Sequence, residues 1–332
     1  MCGPPRYAEL RINISQAFNG VGTVVAPVLG SYVFFLKTSD DTRALRNVQW
    51  VYLAIAIFDF LLAAIFYFSH IPEITDADMA YQAEETHANT DVKPFRKQYR
   101  LFHATFAQFC YTGAQVAIAG YFINYVTETR PGTSSSLGAK FLAGAQGAFA
   151  LGRFSGVLFM KFVRPRWVFL FYLTNCMIFI APSITQRGNT GMAMLYCTLF
   201  FESICFPTIV ALGMRGLGRH TKRGSGFIVA GVAGGACVPP LLGAAADLNN
   251  STGKAMSVPL AFFVAAWTYA LCVNFVPSYR DPADKFSTAK IGLAGGAKDE
   301  ENLSGEGNVD GEKAAAVERK EGPHTDPEIE KI

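Results

Sequence analysis

Glu202 is the only formal charge in the long apolar run 188–214. A carboxylate near the centre of a membrane helix costs at least about 3 kcal/mol unless it is protonated or paired. It is therefore expected to face a cavity, a cation or another polar group. One reading makes it a ligand or titrating group on a substrate path; the other makes it a protonated carboxyl bonded to a neighbouring helix. Amides form a second set. Gln16 and Asn19 are three residues apart and share a helix face if the run 12–36 is one helix. Gln108, Tyr111 and Gln115, spaced three and four apart, draw one polar stripe along the apolar run 101–127, where Gly113 and Gly120 leave room for close approach. Amides donate and accept, and in apolar surroundings they are costly without partners. An aromatic ring between two amides suits a sugar, whose C–H face stacks on rings while its hydroxyls need hydrogen bonds. Tyr121, Asn124 and Gln146 are candidates of the same kind. Hydrogen bonding between membrane helices accounts for the same residue types without any ligand.

No reactive constellation accompanies them. The five His are scattered, and there is no phosphate-binding glycine loop before a lysine and no nucleophile elbow, so no catalytic residue is assigned. Six of the seven cysteines fall inside apolar stretches and no C-x-x-C pair occurs, which argues against a disulfide framework and a metal site. No metal ligand or cofactor is assigned. The net charge of +3 is too small to point to a nucleic-acid partner.

The elements that must hold these residues are membrane helices. The chain of 332 residues is 51% hydrophobic and only 17% charged, with 28 Phe, whereas soluble domains carry about a quarter charged residues. Crossing a membrane takes about 20 apolar residues. Eight runs qualify: 12–36, 48–69 (interrupted by Asp59), 101–127, 137–162 (interrupted by Lys140, Arg153 and Lys161), 167–186, 188–214, 224–246 and 255–279. The fold class is thus an all-α polytopic membrane protein whose partner is the lipid bilayer. Lys93, Arg96, Lys97 and Arg100, then Lys161, Arg164 and Arg166, then Arg215, Arg219, Lys222 and Arg223 fall in loops of one parity, which marks that side as cytoplasmic. The stretch 72–100 is the long hydrophilic connection, with two spans before it and six after it. From about Arg280 the chain turns polar and acidic, and residues 280–332 are expected to form a disordered cytoplasmic tail. The pattern G-x4-P-x-L-G occurs at residues 22–30 and again at 235–243, as expected of equivalent helices in two homologous halves. Gly231, Gly234 and Gly235, with Pro239 and Pro240, mark a span able to bend; Gly235 and Pro240 are candidate gating positions.

Residues 2–19 (CGPPRYAELRINISQAFN) resemble the fourth-to-fifth helix junction of the fucose–proton symporter family, major facilitator permeases for fucose, glucose and galactose. Residues 107–115 (AQFCYTGAQ) resemble that family's seventh helix; 152–156 (GRFSG), 206–209 (FPTI) and 222–228 (KRGSGFI) resemble its eighth, tenth and eleventh. The resemblance implies a major facilitator fold of twelve helices, about eight of them present. Residues 1–71 would be the last two helices of the amino-terminal half, 72–100 the central loop and 101–279 the carboxyl-terminal half. It also implies alternating access, proton-coupled uptake of a hexose or 6-deoxyhexose, the proton as coupling ion in the full-length protein, a monomer and a plasma-membrane location. Four spans, carrying the family's coupling carboxylates, are expected to be missing upstream, leaving a transport-inactive fragment or a non-transporting sugar sensor as the alternative. The resemblance places a sugar-contacting amide at Asn19, supplies no acidic counterpart for Glu202, and makes Arg153 part of a degenerate inner-loop gating signature at the cytoplasmic end of its span. Asp59 would sit on a peripheral helix, in a structural pair.

Overall fold

The computed structural model describes residues 8–29, 42–69, 94–217 and 220–288, and every regular element among them is helical. Helix α1 is Ala8–Leu29 and α2 is Thr42–Phe68. A 3-10 turn, Phe95–Lys97, leads into the longest helix, α3 (Tyr99–Thr129), followed by α4 (Ser135–Phe162). The link between them turns at Gly132, whose φ of 81° a side chain would resist. Ser134 then caps α4 by accepting from the Leu137 N–H at 3.2 Å. Helix α5 (Pro165–Ser183) begins with a proline in its first turn, where the missing donor costs nothing.

The next two spans are broken. One consists of α6 (Gly188–Glu202) and α7 (Cys205–Gly213). Pro207 explains the interruption: its ring cannot donate to the carbonyl four residues back, at Ser203, and clashes with it. The other consists of α8 (Thr221–Ala230), a 3-10 turn at Gly231–Ala233, and α9 (Gly234–Asn249). There Pro239 and Pro240 remove two more donors above a cluster of glycines. A short α10 (Thr252–Ala255) precedes α11 (Ser257–Phe275). Four segments are both long and apolar enough to cross a membrane by composition: Pro165–Ser183, Gly188–Gly213, Thr221–Asn249 and Thr252–Phe275. The four earlier helices have the length, at 22 to 31 residues. In α3 and α4 the polar stripe and the charges at Lys140, Arg153 and Lys161 dilute the apolar signal.

Helix α3 is the hub, packing against α4, α7, α8, α9 and α11, while α4 also packs on α1 and α6. Lipid offers apolar side chains as good an environment as protein, so close packing must hold such a bundle together. Small residues make it close. A Cβ on Gly113 would collide with Val238, and one on Gly234 with the main chain of Phe109; one on Gly152 would collide with the Phe200 carbonyl. Helix α2 differs, since it makes no comparable packing contact with another described helix and presents Trp50, Phe60 and Phe66 outward. The pair expected for Asp59 is absent among the described residues: the carboxylate is exposed on α2, where no neighbouring helix offers a cation.

Both ends of the bundle are tied. At the basic end Arg215 pairs with Glu9 of α1. A twelfth helix, α12 (Pro277–Thr288), lies across this end. Arg100 donates to the Ser278 carbonyl at 3.0 Å, and Asp284 accepts from Arg164 and Arg166, each at 3.1 Å. The start of the segment expected to be disordered is therefore helical, because Tyr279 packs on Tyr99, His103 and Tyr269 and Asp284 meets the α4–α5 loop. At the opposite end the Tyr125 hydroxyl reaches the Ser183 carbonyl at 2.8 Å, and Glu128 accepts from the Thr252 N–H at 2.6 Å. Of the long hydrophilic connection, residues 70–93 lie outside the described part, as do 289–332 of the tail and 30 of the first repeat copy.

A candidate site at the broken helix

Glu202 is the last residue of α6, at the break itself, and is 1% exposed. Breaking a helix inside a bundle frees main-chain carbonyls that must find donors. One is found at once: the buried Tyr111 hydroxyl of α3 donates to the Glu202 carbonyl oxygen at 2.5 Å. Tyr111 is held in turn by Phe263 of α11, with ring centroids 6.1 Å apart. Tyr111 and Glu202, expected on separate grounds from the sequence, therefore meet. The side chain of Glu202 does not share in this bond, and its Oε2 has no hydrogen-bond partner.

Arg153 stands on the facing side of the break. It lies nine residues before the end of α4, about 13 Å inside at 1.5 Å per residue, and is 6% exposed. That is deeper than the helix-end position the sequence reading gave it. The glycines flanking it explain the depth: Gly152 and Gly156 let the α4 backbone rest on Phe200, Ser203 and Ile204. The guanidinium then reaches α1, donating to the main-chain oxygen of Gln16, to its side-chain Oε1 at 3.1 Å and to Asn19 Oδ1 at 3.4 Å. The Phe149 ring lies 4.7 Å from it, a cation–π contact. The guanidinium forms no ion pair with Glu202, and its Nε keeps no partner. Gln16, Asn19 and Arg153 thus form one hydrogen-bonded group and Tyr111 and Glu202 a second, adjacent where Gly152 rests on Ser203.

The stripe on α3 is divided. Gln108 is fully buried and turns toward Gly231 of the second broken span, where a Cβ would stand 3.0 Å from its own Cβ. Its amide nitrogen donates to Thr112 at 3.4 Å, and its Oε1 is unpartnered. Gln115, one turn beyond Tyr111, is half-buried. Gln146 is half-buried on α4 and Asn124 is exposed on α3; neither makes a hydrogen bond to the group. Gly235 packs on Val116 of α3, and Pro240 faces outward from α9. The sequence reading missed Ser203, buried with no partner for its hydroxyl, and Asn13, which donates to Thr208 of α7 at 3.4 Å. Asn13 continues the Gln16–Asn19 face by one more step of three, a signal present in the sequence. Ser203 follows from Pro207 four residues on.

Among the buried atoms, Glu202 Oε2 and Gln108 Oε1 are acceptors without donors, Arg153 Nε is a donor without an acceptor, and the Ser203 hydroxyl can be either. Hydroxyl groups, which both donate and accept, complement each of these atoms. Among the described residues no group of three His, Cys, Asp or Glu could hold a metal.

The family description Major Facilitator Superfamily matches residues 3–240. The L-fucose-proton symporter of Escherichia coli is 28% identical over 285 residues, covering 81% of this chain and 65% of the relative. The glucose/galactose transporter of Brucella abortus is 31% identical over 272 residues, covering 81% and 63%. The chain therefore spans a little under two-thirds of the length of these relatives, which are transporters rather than enzymes. Crystal structures of the Escherichia coli fucose:proton symporter, FucP, superpose with a TM-score of 0.67 at 26% and 27% identity, over 81% of this chain and 69% of that one. One of them is in the outward conformation. With its helical spans, broken at prolines and packed through glycines, this chain is an integral membrane protein and belongs to the Major Facilitator Superfamily.

Proposed function

We propose that this chain supplies the carboxyl-terminal bundle, and the last two helices of the amino-terminal one, of a secondary transporter that carries a hexose or 6-deoxyhexose together with a proton. The observation that carries the reading is the buried set of unsatisfied donors and acceptors at Glu202, Gln108, Ser203 and Arg153, beside the aromatic ring of Tyr111. Polar groups without partners inside a membrane bundle are expensive and mark a substrate path. The names of the relatives support a sugar as the ligand. In the outline expected of this superfamily, the sugar sits near the midplane and the two bundles rock about it. The broken spans α6–α7 and α8–α9 supply the bending, with Gly235, Pro240 and Arg153 as gating positions. The assembly works as a monomer in the plasma membrane, with the basic end and α12 in the cytoplasm.

Calorimetry of the purified chain with L-fucose, D-glucose and D-galactose tests the ligand class. Binding of one of the three, weakened in Gln108→Ala, is the expected result. Equal, negligible heats for all three with folded protein would remove the sugar reading. Labelled-sugar flux in vesicles then separates a transporter from a sensor, which binds without moving its ligand.

A further inference from the structure

Arg153 and Glu202 each keep one polar atom without a partner, and the two atoms are complementary. Arg153 Nε is a donor and Glu202 Oε2 an acceptor, and both are buried. The main chains that carry them are in contact, because Gly152 lies against Ser203 and the Phe200 carbonyl. Arg153 nevertheless spends its Nη1 donor on Gln16 and Asn19 of α1. Its guanidinium stays charged at any pH a protein survives, so any switch between these partners must lie in the carboxyl. We infer that Glu202 and Arg153 form a proton-controlled latch on α1: an ionised Glu202 draws the guanidinium to itself, and a protonated Glu202 leaves it bonded to Gln16 and Asn19.

The chemistry is a simple proton exchange. The Glu202 carboxyl releases one proton to water, and the carboxylate and guanidinium then sum to zero charge. Rebinding the proton restores a neutral acid beside a cation that needs the α1 oxygens. In a low-dielectric interior the attraction between the two charges is strong enough to compete with three hydrogen bonds from neutral acceptors. The pivot is fixed, since Gly152 and Gly156 seat α4 on α6 and Ile204, so that a change of partner moves the side chain of Arg153 rather than its helix. Other groups do not substitute for Glu202. From α3 the Tyr111 hydroxyl is engaged by a main-chain oxygen, from α5 the Tyr172 hydroxyl is engaged by Ser155 of α4, and the remaining neighbours on α5 and α7 are the thiols of Cys176 and Cys205. On α1 the acidic residue Glu9 is committed to Arg215 at the basic end. Because α1 and α4 fall in different bundles under the proposed reading, the latch would couple protonation to contact between the bundles.

The inference deepens the transport reading and rests on it for its purpose, but its test uses no sugar. The 332-residue chain in lipid nanodiscs is titrated with pH while infrared difference spectra follow protonated carboxyl bands. In parallel, nuclear magnetic resonance follows the Nε–H of isotopically labelled arginine, with Arg153 assigned by Arg153→Lys. Expected are a titrating carboxyl band that disappears in Glu202→Gln and an Arg153 resonance that moves with the same midpoint in the parent but not in Glu202→Gln. An Arg153 resonance that stays still while the band titrates overturns the latch. So does a Glu202→Gln variant with the parent's pH response, or the absence of any titrating band over the range in which the parent stays folded. These parent-chain readouts stand even where a variant fails to fold. A silent Arg153 leaves the sugar site untouched, and a failure to bind sugar leaves the latch untouched.

Discussion

Each polar residue of the cluster has a separable role. Tyr111 fills the hydrogen-bonding gap that the helix break opens at Glu202, so its hydroxyl is structural. Tyr111→Phe leaves a buried carbonyl without its donor and is expected to destabilise the folded chain by about 1–3 kcal/mol, read from thermal unfolding in detergent; an unchanged transition would mean another donor takes over. Asn19 and Gln115 are different, since neither closes a main-chain gap. Asn19→Ala and Gln115→Ala are expected to leave yield unaltered while weakening sugar binding by about 1–3 kcal/mol, and unaltered affinity in both would take them out of the site. Glu202→Gln keeps size and hydrogen-bonding capacity. It is expected to change sugar affinity or the pH profile of uptake, and a profile matching the parent at every pH would leave Glu202 as a packing residue. The sequence already shows that Glu202 needs a partner, because a carboxylate in an apolar run has few alternatives. It does not show that Arg153 stands across the break, since nothing in the spacing brings position 153 toward position 202. That meeting depends on glycines, whose contacts exist only in three dimensions.

At the level of helices, glycine decides which pairs approach closely. Gly234 rests on the main chain of Phe109 and Gly113 receives the side chain of Val238, whereas Gly120, on the same helix as Gly113, has nothing within 4 Å. Gly234→Val is therefore expected to destabilise the bundle by about 1–3 kcal/mol or more through overpacking. Gly120→Ala is expected to be neutral or to stabilise by up to about 1 kcal/mol through helix propensity. Equal effects of the two substitutions on resistance to chemical unfolding would show that helix contacts do not set stability here. The spans themselves were legible from hydropathy, and observed helix starts and ends mostly fall within a few residues of the apolar runs. Two features were not. The interruption at Glu202 comes from Pro207, yet proline within an apolar run is equally compatible with a kinked continuous helix. Helix α12 has too little apolar surface to announce itself; it is held by Tyr279 and Asp284 against partners far away in sequence.

For the whole molecule, the bundle built on α3 is closed at both ends, but α1 joins it through α4 and α7 while α2 stands outside. A transporter of this superfamily needs a wall on each side of its cavity, and the chain spans 65% of the length of its Escherichia coli relative. The broken spans also make levers. On both sides of the 3-10 joint the span is packed on α3, through α8 below it and through α9 above it, the latter running on for 16 residues, about 24 Å at 1.5 Å per residue. A swing of about ten degrees at such a joint would carry the far end of α9 through about 4 Å by that same length, and the contacts of Val238 with Gly113 and of Gly243 with Tyr121 would have to slide with it. A bend there is smallest at Gly231, beside Gln108, and largest at the Asn249 end of α9.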